Sequence, residues 1–599
     1  MTGTLSIQTE NIFPIIKRFL YSDRDIFLRE LVSNAIDALH KIKAASQAGD
    51  FQGELGELTV TVSVDENART LTVSDNGVGM TAEETDRYIN QIAFSGAKEF
   101  VEKYQGKIDG VIGRFGLGFY SAFMVADKVE LVTRSYKSDK AVTWSCDGSV
   151  EYVMGEGERP ERGTDVVLHI SQDADEFLRS WRIEEILKKY CRFLPYTIRF
   201  QGKVVNNNSP AWIRKPAELT DEDYKNFYKE LFPYAEAPLF WIHLNVDYPF
   251  TLKGILYFPK LRKEVDIQKN KIHLYCNQVF VTDSVEDVVP DYLSLLHGVI
   301  DSPDIPLNVS RSYLQGDANV KKISGHISKK VADKLREIFD SDRAAFEKAW
   351  ENVGIFVKYG VIRDHSFYEK TKDLVLVHNT ENRFFTLDEY RKHVEAKQTD
   401  RHGKVVFLYA TDPQEQFLAV QNAKNLGYDV LVMDGLLDVN FIQYIEFHLE
   451  KTSFVRVDAD GLDKLIDKGV EAVSLYNEQE EKELTEWVKR AAEKIPVELR
   501  PSSTADLPIY LSVPESQRRM ADMQRLGMLG SAEIPDYFVA AVNTSSDAFK
   551  RLFLLPSDES RQKYLRFLLD LALLSAGRLE GEALSRFVRT AAELASKIV

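Results

Sequence analysis

The stretch FLRELVSNAIDALHKIK, residues 27–43, carries two patterns at once. Leu28, Leu31, Val32, Ala35 and Leu39 recur at helical spacing, which predicts an amphipathic helix. Glu30, Asn34 and Asp37 stand at i, i+4 and i+7, so at about 100° per residue they share one narrow face, roughly opposite Leu28, Val32 and Leu39. Alone, such a row is an ordinary solvated face. Two strand patterns follow, residues 58–64 and 69–75, reading as a hairpin across Asp65-Glu66-Asn67-Ala68. The second runs into DNGVGM, residues 75–80, whose two glycines permit positive φ and close approach of a ligand, although a plain turn looks the same. A third piece, IGRFGLGFYSAF from Ile112, sets Gly113, Gly116 and Gly118 in a loop leading into an apolar helix. Such backbone offers unpaired N–H groups to phosphate oxygens. No Gly-Lys-Ser/Thr follows, so it is not a Walker A loop.

The 599 residues hold 92 acidic and 76 basic side chains, a net charge of −16, with 44% hydrophobic residues. That composition suits a soluble chain of about three to five domains. The acidic balance argues against nucleic acid as a partner, since phosphate binding wants a basic surface. Three scattered cysteines, Cys146, Cys191 and Cys276, leave no disulfide framework and no zinc ribbon, and point to a reducing cytosol. The N-terminus lacks a basic segment followed by an apolar one, so no export signal is expected. The longest apolar run, FLLDLALLSA, is shorter than a membrane span and contains Asp570. A cytoplasmic protein without membrane contact is the expectation.

Residues 1–205 read as an α/β sandwich: a mostly antiparallel sheet with helices on one face, because strands and helices do not alternate as βαβ units. A polar stretch opens a short linker over residues 206–235. Residues 236–495 form a second α/β region, closed by a charged helical stretch at residues 476–494. Residues 496–599 make an α+β region ending in two helical patterns split at Gly577. No internal repeat is visible.

The order E-x-x-x-N-x-x-D, DNGVGM, GRFGLGF resembles the Bergerat ATP-binding fold shared by gyrase subunits, mismatch-repair ATPases, sensor kinases and the ninety-kilodalton heat-shock chaperones. The resemblance implies roles for ATP and Mg²⁺. Glu30 would be the general base toward water, and Asn34 an oxygen ligand to Mg²⁺, with Asp37 beside it. Asp75 would accept from the adenine amine. Gly79 and Met80 would line the base pocket, Thr164 would sit beneath it, and Asn90 would join the nucleotide contacts. Gly113, Gly116, Gly118 and Phe119 would wrap the phosphates.

Beyond the first domain, YPFTLKGILYFPK and PLNVSRSYLQ extend the resemblance end to end, to the bacterial HtpG type of the heat-shock chaperone family. That implies an N-terminal ATPase, a middle domain and a C-terminal dimerisation domain. It further implies a homodimer acting on partly folded clients, with possible cooperation with other chaperones. Arg311 would be a cation delivered to the phosphates from the middle domain, supported by Asn308 and Gln315. At the C-terminus, Leu584, Phe587, Val588, Ala591, Leu594, Ala595 and Ile598 form a 3–4 seam suited to a two-fold bundle, or to packing on the preceding helix. Met520, Met523 and Met528 could meet clients or fill a core, and Trp241 is an aromatic candidate for the same role. Departures matter too. Phe94 stands where the family's lid segment has a lysine, with Lys98 as a substitute charge, and Ser312 follows Arg311 where glutamate is common. A DNA-acting ATPase would need a basic face, and a sensor kinase a phospho-accepting histidine ahead of the ATPase; neither fits.

Overall fold

This computed structural model describes residues 23–91, 94, 112–113, 116–149, 151–260, 271–285, 288–305, 318–469, 472–505, 507–525 and 537–596. The chain divides into two compact units, Met1–Val331 and Ala332–Val599. Among the described residues, no helix is long and apolar enough to cross a membrane.

In the first unit, helix α1 (Ile26–Ala48) ends at Gly49, whose φ of 83° stops the helix in a left-handed cap. It lies against a sheet built from β1 (Thr59–Asp65), β2 (Thr70–Asp75), β3 (Ala126–Arg134), β4 (Ala141–Cys146), β5 (Tyr152–Gly157), β6 (Gly163–Ile170), β7 (Thr197–Phe200) and β8 (Lys203–Val204). Strand order is β5-β4-β3-β6-β2-β1-β7-β8, and only β1 with β7 is parallel. The expected antiparallel sheet with helices on one face is what forms. Val60, Val62, Leu71, Val73, Val129 and Leu131 alternate toward one face and bury against α1 and helix α3 (Ser180–Tyr190). Each such side chain contributes about 1.5–3 kcal/mol by leaving water. Helix α2 (Ala82–Ile89) starts with a capping box between Thr81 and Glu84. Strand β5, exposed along most of its length, was not evident from the sequence pattern.

A second sheet follows in order β12-β11-β13-β10-β9, from β9 (Phe240–Val246), β10 (Leu252–Phe258), β11 (Lys271–Cys276), β12 (Val279–Thr282) and β13 (His297–Asp301). The residues between the two sheets hold helical elements of their own. Helix α4 (Asp221–Leu231) carries its own capping box, and Trp212 is only 1% exposed, inside a cluster with Phe193, Phe227 and Tyr275.

In the second unit, β14 (Leu376–Asn379), β15 (Phe384–Thr386), β16 (Val405–Ala410), β17 (Val430–Val432) and β18 (Thr452–Arg456) form a sheet in order β15-β14-β17-β16-β18. Strand β16, VVFLYA, is buried throughout and pairs in parallel on both sides, which explains its unbroken apolar run. A small sheet, β19 (Val497–Leu499), β21 (Val539–Val542) and β20 (Ile509–Ser512), packs against helices Glu478–Ala492 and Asp558–Ser575. The chain's last described helix is Gly581–Ala595.

Candidate active site

Helix α1 is buried on both faces. Its apolar row meets the sheet, and its polar row lies beneath the glycine loop, so Glu30 is 6% and Asp37 7% exposed. A Cβ on Gly118 would sit 2.6 Å from Glu30 Oε2, and one on Gly113 would sit 3.2 Å from Asn34 Oδ1. Glycine at 118 therefore lets backbone pass directly over the carboxylate. Asp37 accepts N–H bonds from Ile112 at 2.8 Å and Gly113 at 2.6 Å. Its charge holds the start of the loop against the helix. Asn34 stays half-buried between these two carboxylates.

Glu30 Oε1 accepts from Arg29 Nε at 3.1 Å and Nη2 at 2.8 Å, with both side chains nearly sealed from solvent. The guanidinium compensates a charge whose burial alone costs several kcal/mol. Oε2 is left facing the loop, where a carboxylate can take a proton from water.

Asp75 closes β2, and strand register brings its partners together. Asp75 pairs with Thr164 across β2 and β6, and Thr133 pairs with Thr164 across β3 and β6. The two threonine hydroxyls meet at 2.9 Å, Thr133 Oγ1 accepts from Met80 N at 2.9 Å, and Asp75 accepts from Gly77 N at 2.7 Å. Burial pushes the Asp75 carboxyl up to about 7, against the opposing pull of the Gly77 amide and the Arg159 charge. Gly79 has a φ of 61°, and a Cβ there would run into the backbone carbonyl of Arg134. Glycine is thus needed to turn the chain from Asp75 to Met80. A buried acceptor at a strand end, beside a half-buried methionine, suits a planar ring bearing an amine.

Asn90, at the end of α2, accepts from Trp144 Nε1 at 2.9 Å and donates to Asp86 at 2.8 Å. Phe119 is half-buried, edge-on to Trp144 at 5.6 Å. Gly116, at a φ of 64°, backs onto the main chain of Phe94, whose ring stacks on Tyr88 under the Arg87 guanidinium. Glu30, Asn34, Asp37, Gly113 and Gly118 therefore converge, as do Asp75, Gly79, Met80 and Thr164. Arg311, Gln315, Asn308, Lys98 and Ser312 lie outside the described residues.

Three participants were not singled out from the sequence: Arg29, Thr133 and Trp144. Arg29 left a signal, a cation among the apolar positions opening α1. Among the described residues, no group of three or more His, Cys, Asp or Glu could hold a metal ion. Trp241 is half-buried and stacks on Tyr224 at 4.9 Å. Met520 is exposed, Met523 half-buried, and Met528 outside the described residues.

The C-terminal seam has a different character. Helix Gly581–Ala595 is held to Asp558–Ser575 by Arg586 on the buried Asp570 and by Phe587 stacked on Phe567 at 5.1 Å. Yet Leu584, Val588 and Leu594 remain 37%, 56% and 44% exposed. Ile598 lies outside the described residues.

Comparison with known families gives two matches: Hsp90 protein over residues 200–526, and the histidine kinase-, DNA gyrase B- and HSP90-like ATPase over residues 23–158. Among curated proteins, the chain is 51% identical over 576 residues to "Chaperone protein HtpG" of Porphyromonas gingivalis strain W83, covering 92% of this chain and 84% of that one. It is 49% identical over 583 residues to "Chaperone protein htpG" of Bacteroides fragilis strain YCH46, covering 94% and 85%. With "Chaperone protein HtpG" of Desulfitobacterium hafniense it shares 31% over 554 residues, 89% and 88% of the two chains.

Proposed function

The chain belongs to the Hsp90 family, and from that premise we propose how its residues divide the work. It is an ATP-dependent chaperone, and its N-terminal region is a nucleotide-binding ATPase of the histidine kinase, gyrase B and Hsp90 type. The observation that carries the assignment of roles is the glycine loop lying on the Glu30, Asn34 and Asp37 face.

Asp75 receives the adenine amine, with Thr164 below the ring and Gly79 and Met80 beside it. Gly113, Gly116, Gly118 and Phe119 line the phosphates, and Asn90 holds α2 against the sheet next to them. Glu30 orients the attacking water through Oε2 and takes its proton, while Arg29 keeps the carboxylate in place. Asn34 offers a hard oxygen that suits Mg²⁺, an ion that when bound neutralises phosphate charge. Arg311, aided by Gln315, brings a second cation from the middle region, so turnover requires that region to dock.

The division of labour follows residues 1–205 for ATP, 206–235 as connection, 236–495 for the arginine and clients, and 496–599 for dimerisation. The bare row Leu584, Val588 and Leu594 supports a homodimer through the C-terminal helices. Partly folded proteins in the cytoplasm are the clients, with cooperation from other chaperones, and nucleic acid and membrane are not partners. Arg311→Ala tests the assignment: hydrolysis slows by about 10²-fold or more while calorimetric nucleotide affinity holds. Unchanged turnover removes Arg311 from the reaction.

A further inference from the structure

Residues 301–305, the last described ahead of Arg311, are held by a set of hydrogen bonds and by burial. Strand β13 ends at Asp301, whose buried carboxylate accepts from Gln278 N at 2.9 Å and from Trp212 Nε1 at 3.4 Å. The Asn277 amide points at the same carboxylate. Asn277 and Gln278, with φ of 51° and 65°, form the two-residue turn between β11 and β12. Positive φ at a glutamine is strained backbone, and two successive amides in that conformation make a concavity that wants an anion. Asp301 supplies the anion. Immediately beyond, Ser302 donates to Thr251 O at 2.6 Å, and Asp304 accepts from Thr251 N at 2.6 Å. Ile305, six residues before Arg311, is then buried.

The other end of this tie reaches the nucleotide-binding sheet. The Trp212 ring packs edge-on against Phe193 at 4.7 Å, directly after α3. Tyr190, the last residue of α3, lies 5.6 Å under the Arg29 guanidinium and meets Phe280 of β12 at 6.0 Å. Contacts therefore run from Glu30's own partner, through the end of α3, to both sides of the turn that Asp301 holds.

We propose that Asp301 and Trp212 are positioning residues for ATP hydrolysis, fixing the base of the Arg311 segment to the part of the chain that holds the nucleotide. This rests on the role given to Arg311. Trp212 matters through its indole N–H as well as its bulk, because Asp301 has no other side-chain donor among the hydrogen bonds described. The pair acts on the rate of the chemical step and leaves the nucleotide pocket alone, since neither residue touches the Asp75 and Thr164 cluster.

The test uses the full chain. Trp212→Phe keeps a ring in the cluster and removes the N–H; Asp301→Asn keeps one acceptor oxygen and removes the charge. Each should lower kcat by about tenfold or more, the penalty of misplacing a reacting group by a fraction of an ångström, with affinity for a nonhydrolysable ATP analogue and KM within about twofold. The decisive arm is Trp212→Phe placed in an Arg311→Ala background. A residue acting through Arg311 causes no further loss there. An equal loss in both backgrounds, or unchanged kcat in both single variants, overturns the inference. Should Asp301→Asn fail to fold, Trp212→Phe and its double variant still decide. If Arg311→Ala alone turns over at the normal rate, the arginine assignment has failed and takes this one with it. A slowed Arg311→Ala with normal Trp212→Phe and Asp301→Asn sinks only the positioning role.

Discussion

Near the start of the chain, Glu30 and Asp37 are buried; near its end, Leu584, Val588 and Leu594 stand in solvent. Both regions break the rule that charge faces water and apolar side chains hide, in opposite directions. The difference is instructive. A buried carboxylate must be compensated from within, so each one comes with named partners: Arg29 for Glu30, the Ile112 and Gly113 amides for Asp37. Among the described residues, the apolar row keeps much of its surface uncovered. The α1 site is thus compensated within one copy, while the homodimer proposed above is what would cover helix Gly581–Ala595.

The sharpest break between the two is Glu30→Ala. Turnover should fall by at least about 10²-fold with ATP affinity nearly intact, measured by calorimetry beside steady-state hydrolysis. Loss of binding would show that the α1 face is structural. Next, Leu584→Asp with Val588→Asp should dissociate the dimer at micromolar concentration in sedimentation, because two apolar side chains per protomer, each contributing about 1.5–3 kcal/mol, lose their cover. The first-unit ATP affinity should be untouched, and a persistent dimer would move the interface elsewhere.

A smaller effect follows from Asp75. Its carboxyl is raised from 3.8 to about 7 by burial, and the ionised form accepts an adenine amine's hydrogen bond more strongly than the neutral acid does. Nucleotide affinity should therefore climb as pH rises from 6 to 8, by up to about tenfold per unit below the Asp75 pKa and flattening above it. Asp75→Asn should remove the slope. The stability sign is opposite. The folded chain keeps this proton where the unfolded chain has lost it, so stability contributed by Asp75 declines as pH rises from about 4 to about 7, then levels. The smallest change expected is Asp37→Asn, which retains one acceptor for two amides. Loss of one such bond costs about 1–2 kcal/mol of loop anchoring, visible as faster amide exchange at Ile112 and Gly113 and severalfold slower turnover.

Much of this was legible in the sequence because local pattern dictates it. Helix α1, the β1–β2 hairpin and the turn at Gly79 depend on residues close in the chain. Thr133 was not legible, because its place beside Thr164 and Met80 comes from the register of three strands distant in sequence. Trp212 was hidden by its polar neighbours, although a tryptophan amid Asn, Ser and Lys is itself a hint of a buried anchor. Helix Glu515–Arg525 was read through its methionines. In the structure its charges do the holding, with Arg518 on Asp458 at 3.0 Å and Asp522 on Arg456 at 3.0 Å, pairings no helical wheel reveals. Asp570 marked a run too polar for a membrane, and the charges of Arg586 and Arg566 are why it is tolerated inside a helix pair.

Whether Glu30 and Arg311 act on one triphosphate is settled most directly by solving the full-length dimer with a nonhydrolysable ATP analogue. The Glu30 carboxylate and the Arg311 guanidinium should both lie around the γ-phosphate, within hydrogen-bond reach or through one water. An Arg311 side chain far from the phosphates in every nucleotide-bound state would contradict that arrangement.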